Sequence, residues 1–258
     1  MATPTTTDEI ARARRAVRQQ AETAAMLGVD YVPCFRTGEG IAEVEPPTDP
    51  AAAVSTAADP ARAKAQQRMD ELRARYERDA PHEKFATPHQ FTNLVWGDGD
   101  VTARLMFIGE APGADEDRTG VPFVGRAGQL LNKMITAMGL RREEVYIANV
   151  LKTRPPNNAT PTPAEAELCA PYLHEQIAIV APEVIVTVGL PATRLILKSS
   201  DSMGRLRGTW AEYVGPGPDG IRVAVMPTYH PAYLLRSYTA ENRKKVWSDL
   251  KQAMARLG

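Results

Sequence analysis

The chain has 258 residues, 43% of them hydrophobic, which suffices for one domain of ordinary size and an extension. It contains no run of eighteen apolar residues, which excludes a transmembrane helix on sequence grounds. Thirty-one basic and 31 acidic side chains cancel, but unevenly: residues 1–100 carry −4 and residues 101–258 carry +4, compatible with a phosphate backbone without arguing for one.

The start, MATPTTTDEI, lacks a charged segment leading into an apolar one, so no secretory signal is expected and a soluble, cytoplasmic protein is. From Asp8 to about Leu27, Ile10, Val17, Ala24 and Leu27 fall roughly on one side of an amphipathic helix. A Pro/Ala-rich stretch, about 36–59, reads as a linker. A polar helix follows from Pro60 to about Arg78, with Asp59 as its cap. Residues 1–90 therefore read as a helical extension and 91–258 as the main domain. There, the runs Arg104–Ile108, Val145–Leu151, Val184–Val188 and Val223–Met226 have strand length and β-branched content. Helical patterns lie between and after them: Ala127–Met138, Pro163–Val180, Pro191–Leu197 and about Ala240–Leu257. Thr162-Pro163-Ala164-Glu165 is a capping box with proline at the first helical position. Alternating strands and helices predict an α/β fold, a parallel sheet covered on both faces. Ligands of such sheets bind at the carboxyl ends of the strands, so the loops after Ile108, Val150, Val188 and Met226 are where chemistry is expected.

Three of those loops have unusual composition. In Gly109-Glu110-Ala111-Pro112-Gly113, continuing through Glu116 to Phe123 and Gly128, glycines around a proline make a rigid turn whose N–H groups can face a ligand. Phe123 offers a flat face to a base; an ordinary loop with a buried Phe explains the residues equally well. Asn149 ends a strand, where a carboxamide can read a base edge or simply form a turn. In Pro227-Thr228-Tyr229-His230-Pro231-Ala232-Tyr233-Leu234-Leu235-Arg236, a histidine follows the last strand and apolar residues lead to an arginine. That suits a wedge entering a base stack beside a phosphate contact, or a helix start packing its leucines in the core.

The ordered motifs GEAPGxxEDxxGxPFVGRAGQLL, NVLKxRPPxN, SMGRLRGTW (Ser202–Trp210) and MPTYHPAYLLR resemble the bacterial and archaeal family 4 uracil-DNA glycosylases. The resemblance covers about Phe91 to Gly258, and agreement of four ordered motifs is far more specific than any one. It implies a three-layer αβα sandwich around a central four-stranded parallel sheet. It also implies a monofunctional enzyme that hydrolyses the N-glycosidic bond of uracil in DNA and so begins base excision repair. Phe123 would stack on the extruded uracil, with Ala111 and Gly113 in the turn beside it. Asn149 would bond the N3–H and O4 edge, and His230 would sit at O2. Among carboxylates, Glu116 would shape the pocket near uracil C5 and Glu110 would act at the turn; Asn158 matches a position implicated in catalysis. The resemblance leaves open which group positions the attacking water, since Ala111 stands where the best-known branch has an aspartate. Tyr233, Leu234 and Leu235 would fill the gap in the stack, and Lys152, Arg154, Arg207 and Arg236 would meet phosphates. Uracil-containing DNA is the expected partner, with no membrane and a monomeric chain.

Family 4 enzymes usually hold an iron–sulfur cluster on four cysteines. This chain has two cysteines; only Cys169 matches a ligand position, Thr153 stands at another, and His82-Glu83-Lys84-Phe85 occupies the region of the rest. No cofactor and no metal are therefore expected, with helices 8–27 and 60–79 as candidates to cover what a cluster would stabilise. Two other readings stay open: a glycosylase for other deaminated bases or mismatched thymine, and a non-catalytic DNA-binding member.

Overall fold

In the computed structural model, which describes residues 59–218 and 220–258, six strands form one sheet. They are β1 (Asp98–Gly99), β2 (Leu105–Gly109), β3 (Tyr146–Asn149), β4 (Val184–Val188), β5 (Ala211–Val214) and β6 (Arg222–Thr228), in the order β1-β3-β2-β4-β6-β5. The inner four, β3-β2-β4-β6, are parallel as expected, while β1 and β5 add antiparallel edges that the sequence reading did not include. Burial explains the difference in legibility. β2, β3 and β4 are buried along their whole length and so read as continuous apolar runs. By contrast β1 is the dipeptide Asp98-Gly99, and β5 alternates with only Tyr213 buried.

Eight α-helices are described: α1 (Pro60–Asp79), α2 (Ala114–Thr119), α3 (Arg126–Ala137), α4 (Pro163–Val180), α5 (Leu190–Leu197), α6 (Met203–Leu206), α7 (Pro231–Arg236) and α8 (Ala240–Leu257). The period of two in each strand splits the core into two layers. Met106, Ile108, Ile185, Val223 and Val225 face α1, α4 and α5, and Leu105, Phe107, Val184, Val186 and Met226 face α3 and α8. This is the αβα sandwich.

Helix boundaries follow local chemistry. Asp59 Oδ1 accepts the Ala61 N–H at 3.0 Å ahead of Pro60, as expected. The capping box closes with Thr162 Oγ1 on the Glu165 N–H (3.2 Å) and Glu165 Oε2 on the Thr162 N–H (2.8 Å). Although mostly polar, α1 buries Ala65, Met69, Leu72 and Tyr76, spaced four, three and four, against α4 and the sheet. Tyr76 packs edge-on to Tyr172 at 4.9 Å and against Trp96 at 5.5 Å, and Tyr172 Oη donates to Asp79 at 2.8 Å. The expected helix 8–27 and most of the expected linker lie outside the described residues. Among the described residues no helix is long and apolar enough to cross a membrane.

Candidate active site

Strand register creates the site. Gly109 at the end of β2 pairs with Asn149 at the end of β3. A Cβ on Gly109 would lie 2.4 Å from Asn149 Oδ1 and 2.5 Å from Phe123 Cζ, so only glycine lets the carboxamide and the ring stand together there. Across the sheet, β4 and β6 align Val188 with Thr228. That brings the loop after β4 under His230, whose Cβ would be 3.2 Å from a Cβ on Gly189. The Phe123 and His230 rings are 5.7 Å apart, inclined at 33°. Phe123, Asn149 and His230, from three separate loops, line one cleft of about 400 Å³ with Glu110, Ala111, Gly113, Glu116, Asn158 and Arg236.

The cleft's polar groups are prepared for a ligand. Asn149 is 2% exposed, and its Oδ1 is buried without a hydrogen-bond partner. An unsatisfied buried acceptor costs about 1–3 kcal/mol, a cost that a ligand N–H placed there would remove. His230 is half-buried, and its Nδ1 accepts the Ala232 N–H at 3.1 Å, capping α7. The proton of the neutral ring is thereby directed to Nε2, the nitrogen left for the cleft. Burial, with the charge of Arg236 second, holds the imidazole pKa down to about 4 against the opposing pull of Glu116. The site thus presents a neutral N–H donor. Glu110 shares the cleft wall with Thr160 and Arg236, which favour its ionised form; burial outweighs both and raises its carboxyl above the usual carboxylate range.

Glu116 has a different occupation. One carboxylate oxygen accepts the N–H groups of Val124 (2.9 Å) and Gly125 (2.8 Å), and the other accepts that of Gly113 at 3.1 Å. It therefore ties the two halves of the first motif together across α2. Asn158, exposed and at φ 54°, accepts from Arg154 Nε at 2.8 Å on the cleft's rim.

Three expected DNA contacts are corrected. Lys152 is fully buried: Nζ donates to Asn149 O (2.7 Å) and Gln176 Oε1 (2.6 Å), and lies 5.3 Å from the centroid of the Trp96 ring. Burial brings its pKa down to about 7. An ammonium enclosed behind β3 cannot reach a phosphate. Leu234 is also fully buried, whereas Leu235 is exposed, so any wedge falls to Leu235. Arg207 turns inward, paired with buried Asp249 and donating to Lys245 O at 2.7 Å. Asp249 also accepts from Thr228 Oγ1 at 2.7 Å, which braces the strand end leading to His230. Tyr233 is half-buried and packs against Tyr229 at 4.9 Å; Arg236 is exposed at the cleft mouth. Asp249 and Arg142 escaped the sequence reading because they stand outside the motifs and act over 42 and 20 residues of chain.

The cysteine-bearing side of the core does not fit a four-cysteine cluster. The Cys169 Sγ lies 3.9 Å from Tyr76 Oη and is buried, which pushes the thiol up to about 11. Thr153 Oγ1 shares a 2.9 Å hydrogen bond with His89 Nδ1, and rings of Tyr76, His82, Phe85, His89 and Tyr172 pack around them. Among the described residues no group of three or more His, Cys, Asp or Glu side chains is arranged to hold a metal ion. Cys34 lies outside them.

The fold and cleft define an α/β protein with a pocket built from a ring, a carboxamide and an imidazole at the strand ends. A family model described as the uracil DNA glycosylase superfamily matches residues 96–251. Similar proteins include a type-4 uracil-DNA glycosylase of Thermotoga maritima, 45% identical over 163 residues (63% of this chain, 82% of the relative). One from Archaeoglobus fulgidus is 46% identical over 165 residues (62% and 80%). A type-5 uracil-DNA glycosylase of Pyrobaculum aerophilum is 34% identical over 152 residues (53% and 64%). The chain belongs to the uracil DNA glycosylase superfamily, on its type-4 branch.

Proposed function

We propose that this chain is a monofunctional uracil-DNA glycosylase that opens base excision repair. The observation that carries the proposal is the shared cleft of Phe123, Asn149 and His230, with an unpaired carboxamide oxygen and a neutral imidazole donor in it. A base within a duplex is out of reach, so the nucleotide is extruded into the cleft. Phe123 stacks on uracil. Asn149 Oδ1 accepts from N3–H, while its amide donates to O4; cytosine presents the reverse pattern and is refused. As the C1′–N1 bond stretches, negative charge gathers on the departing base, and His230 Nε2–H stabilises it at O2. The remaining sugar is cation-like and is captured by water at C1′, so little base catalysis is needed.

Glu110 is the carboxylate we assign to that water. Glu116 is occupied by three backbone N–H groups and serves as a loop organiser beside the pocket's C5 side. Asn158 and Arg154 form the rim, with Arg236 at a phosphate and Leu235 as the wedge. Among the described residues no lysine lines the cleft, which favours simple hydrolysis over an imine-forming lyase route. We read the folded unit as including α1 rather than starting near residue 91, because the buried stripe of α1 belongs to the sheet's own core. The enzyme works without an iron–sulfur cluster; aromatic packing from α1 and the following turn, Pro81–Lys84, occupies that side of the core.

The test is single-turnover incubation with an oligonucleotide carrying one uracil, followed by alkaline cleavage of abasic sites. Parallel substrates carry hypoxanthine, xanthine or a G·T pair. Uracil release is expected; release only from another substrate would shift the base range, and DNA binding with no release at all would sink the enzymatic reading.

A further inference from the structure

Phe123 owes its place to a segment with an unusual backbone. Its φ of 53° is left-handed, a region that non-glycine residues occupy only when their surroundings impose it. The surroundings are two side chains on opposite sides. Glu116 takes the N–H groups of Val124 and Gly125. The guanidinium of Arg142 takes the carbonyls: Nη2 donates to Pro122 O at 2.6 Å and Nη1 to Phe123 O at 3.2 Å. The same guanidinium is fixed by Asn132 Oδ1 (2.8 Å) on α3 and by Asp98 Oδ2 (3.1 Å from Nε) on β1. The Arg142 side chain is 18% exposed and is absent from the cleft's lining. Gly128 completes the arrangement, since a Cβ there would lie 1.8 Å from Phe123 O.

We propose that Arg142, held by Asp98 and Asn132, is a positioning residue for base recognition: it locks the Pro122 and Phe123 carbonyls so that the aromatic ring faces the extruded base. A planar fork can serve two adjacent carbonyls and two acceptors behind it at once; an ammonium cannot. The inference rests on the base-excision reading of the cleft.

The test uses the full chain and the uracil oligonucleotide, with Arg142→Gln, Arg142→Lys, Phe123→Ala and the double variant R142Q/F123A. Arg142→Gln is expected to slow single-turnover excision ~100-fold, the scale of a misplaced recognition group. It should also weaken inhibition by free uracil while leaving affinity for the same oligonucleotide with thymine in place of uracil unchanged. Arg142→Lys should fall between. In the Phe123→Ala background, Arg142→Gln should add nothing, because both act through one ring. Multiplying effects, or an unaltered rate in Arg142→Gln beside an active wild type, overturn the proposal. Should Arg142→Gln fail to fold, Asn132→Ala, which frees one guanidinium nitrogen, carries the same cycle. A wild type that releases no uracil sinks the functional reading itself, and the clamp with it.

Discussion

Replacing His230 by alanine separates two functions of one ring. Nδ1 accepts the Ala232 N–H and caps α7, so the neutral ring offers Nε2–H to the cleft. Losing one preorganised donor to a developing oxyanion slows chemistry by ~100–1000-fold, about 2.7–4 kcal/mol. Losing the cap costs about 1 kcal/mol of stability, which for a domain of this size lowers Tm by about 2–4 °C. His230→Asn retains a side-chain oxygen able to cap, so Tm should return towards wild type while the rate does not. Single-turnover excision with enzyme in excess, paired with thermal melts, reads both effects. Imidazole NMR should find the Nε2–H tautomer and no protonation until about pH 4, the value set by burial and Arg236. The sign follows. An unfolded histidine gains a proton below about 6.5, and the folded one does not until about 4, so this residue makes stability fall as pH drops through that interval. An excision rate for His230→Ala equal to wild type, or a folded-state pKa near 6.5, would refute the reasoning.

Asn149→Ala should cut excision ~100-fold without lowering Tm, since it removes an acceptor buried without a partner; a large Tm loss would show that the amide is structural. Glu110, raised by burial, is ionised only above its shifted pKa, so activity should fall on acidification at a pH above the usual carboxylate value. Glu110→Gln should erase that limb from the pH–rate profile, and a retained limb would reassign the water. Leu235→Ala should impair excision from duplex more than from single-stranded DNA with Tm unchanged, whereas Leu234→Ala should cost about 2–5 kcal/mol of stability in denaturant melts. Arg236→Gln should reduce the slope of log affinity against log salt by about 1, and Lys152→Met should leave that slope alone, because its ammonium is enclosed.

Adjacent residues already specified that the inner strands run parallel, the capped helix Pro163–Val180, and the loops that line the cleft. Those properties are local: hydrophobic period, caps and glycine turns are written in adjacent residues. The sequence also supplied the ring, the carboxamide and the imidazole, as residue types whose chemistry suits a base. Packing between distant segments sets which way side chains face. Lys152 follows Asn149 by three residues, yet one is enclosed behind the strand and the other opens on the cleft. Leu234 and Leu235 are neighbours with opposite fates because a helix turns about 100° per residue. Arg207 with Asp249 and Arg142 with Phe123 become partners only when distant segments pack. Burial and pairing are properties of the assembled core, and no single segment contains them.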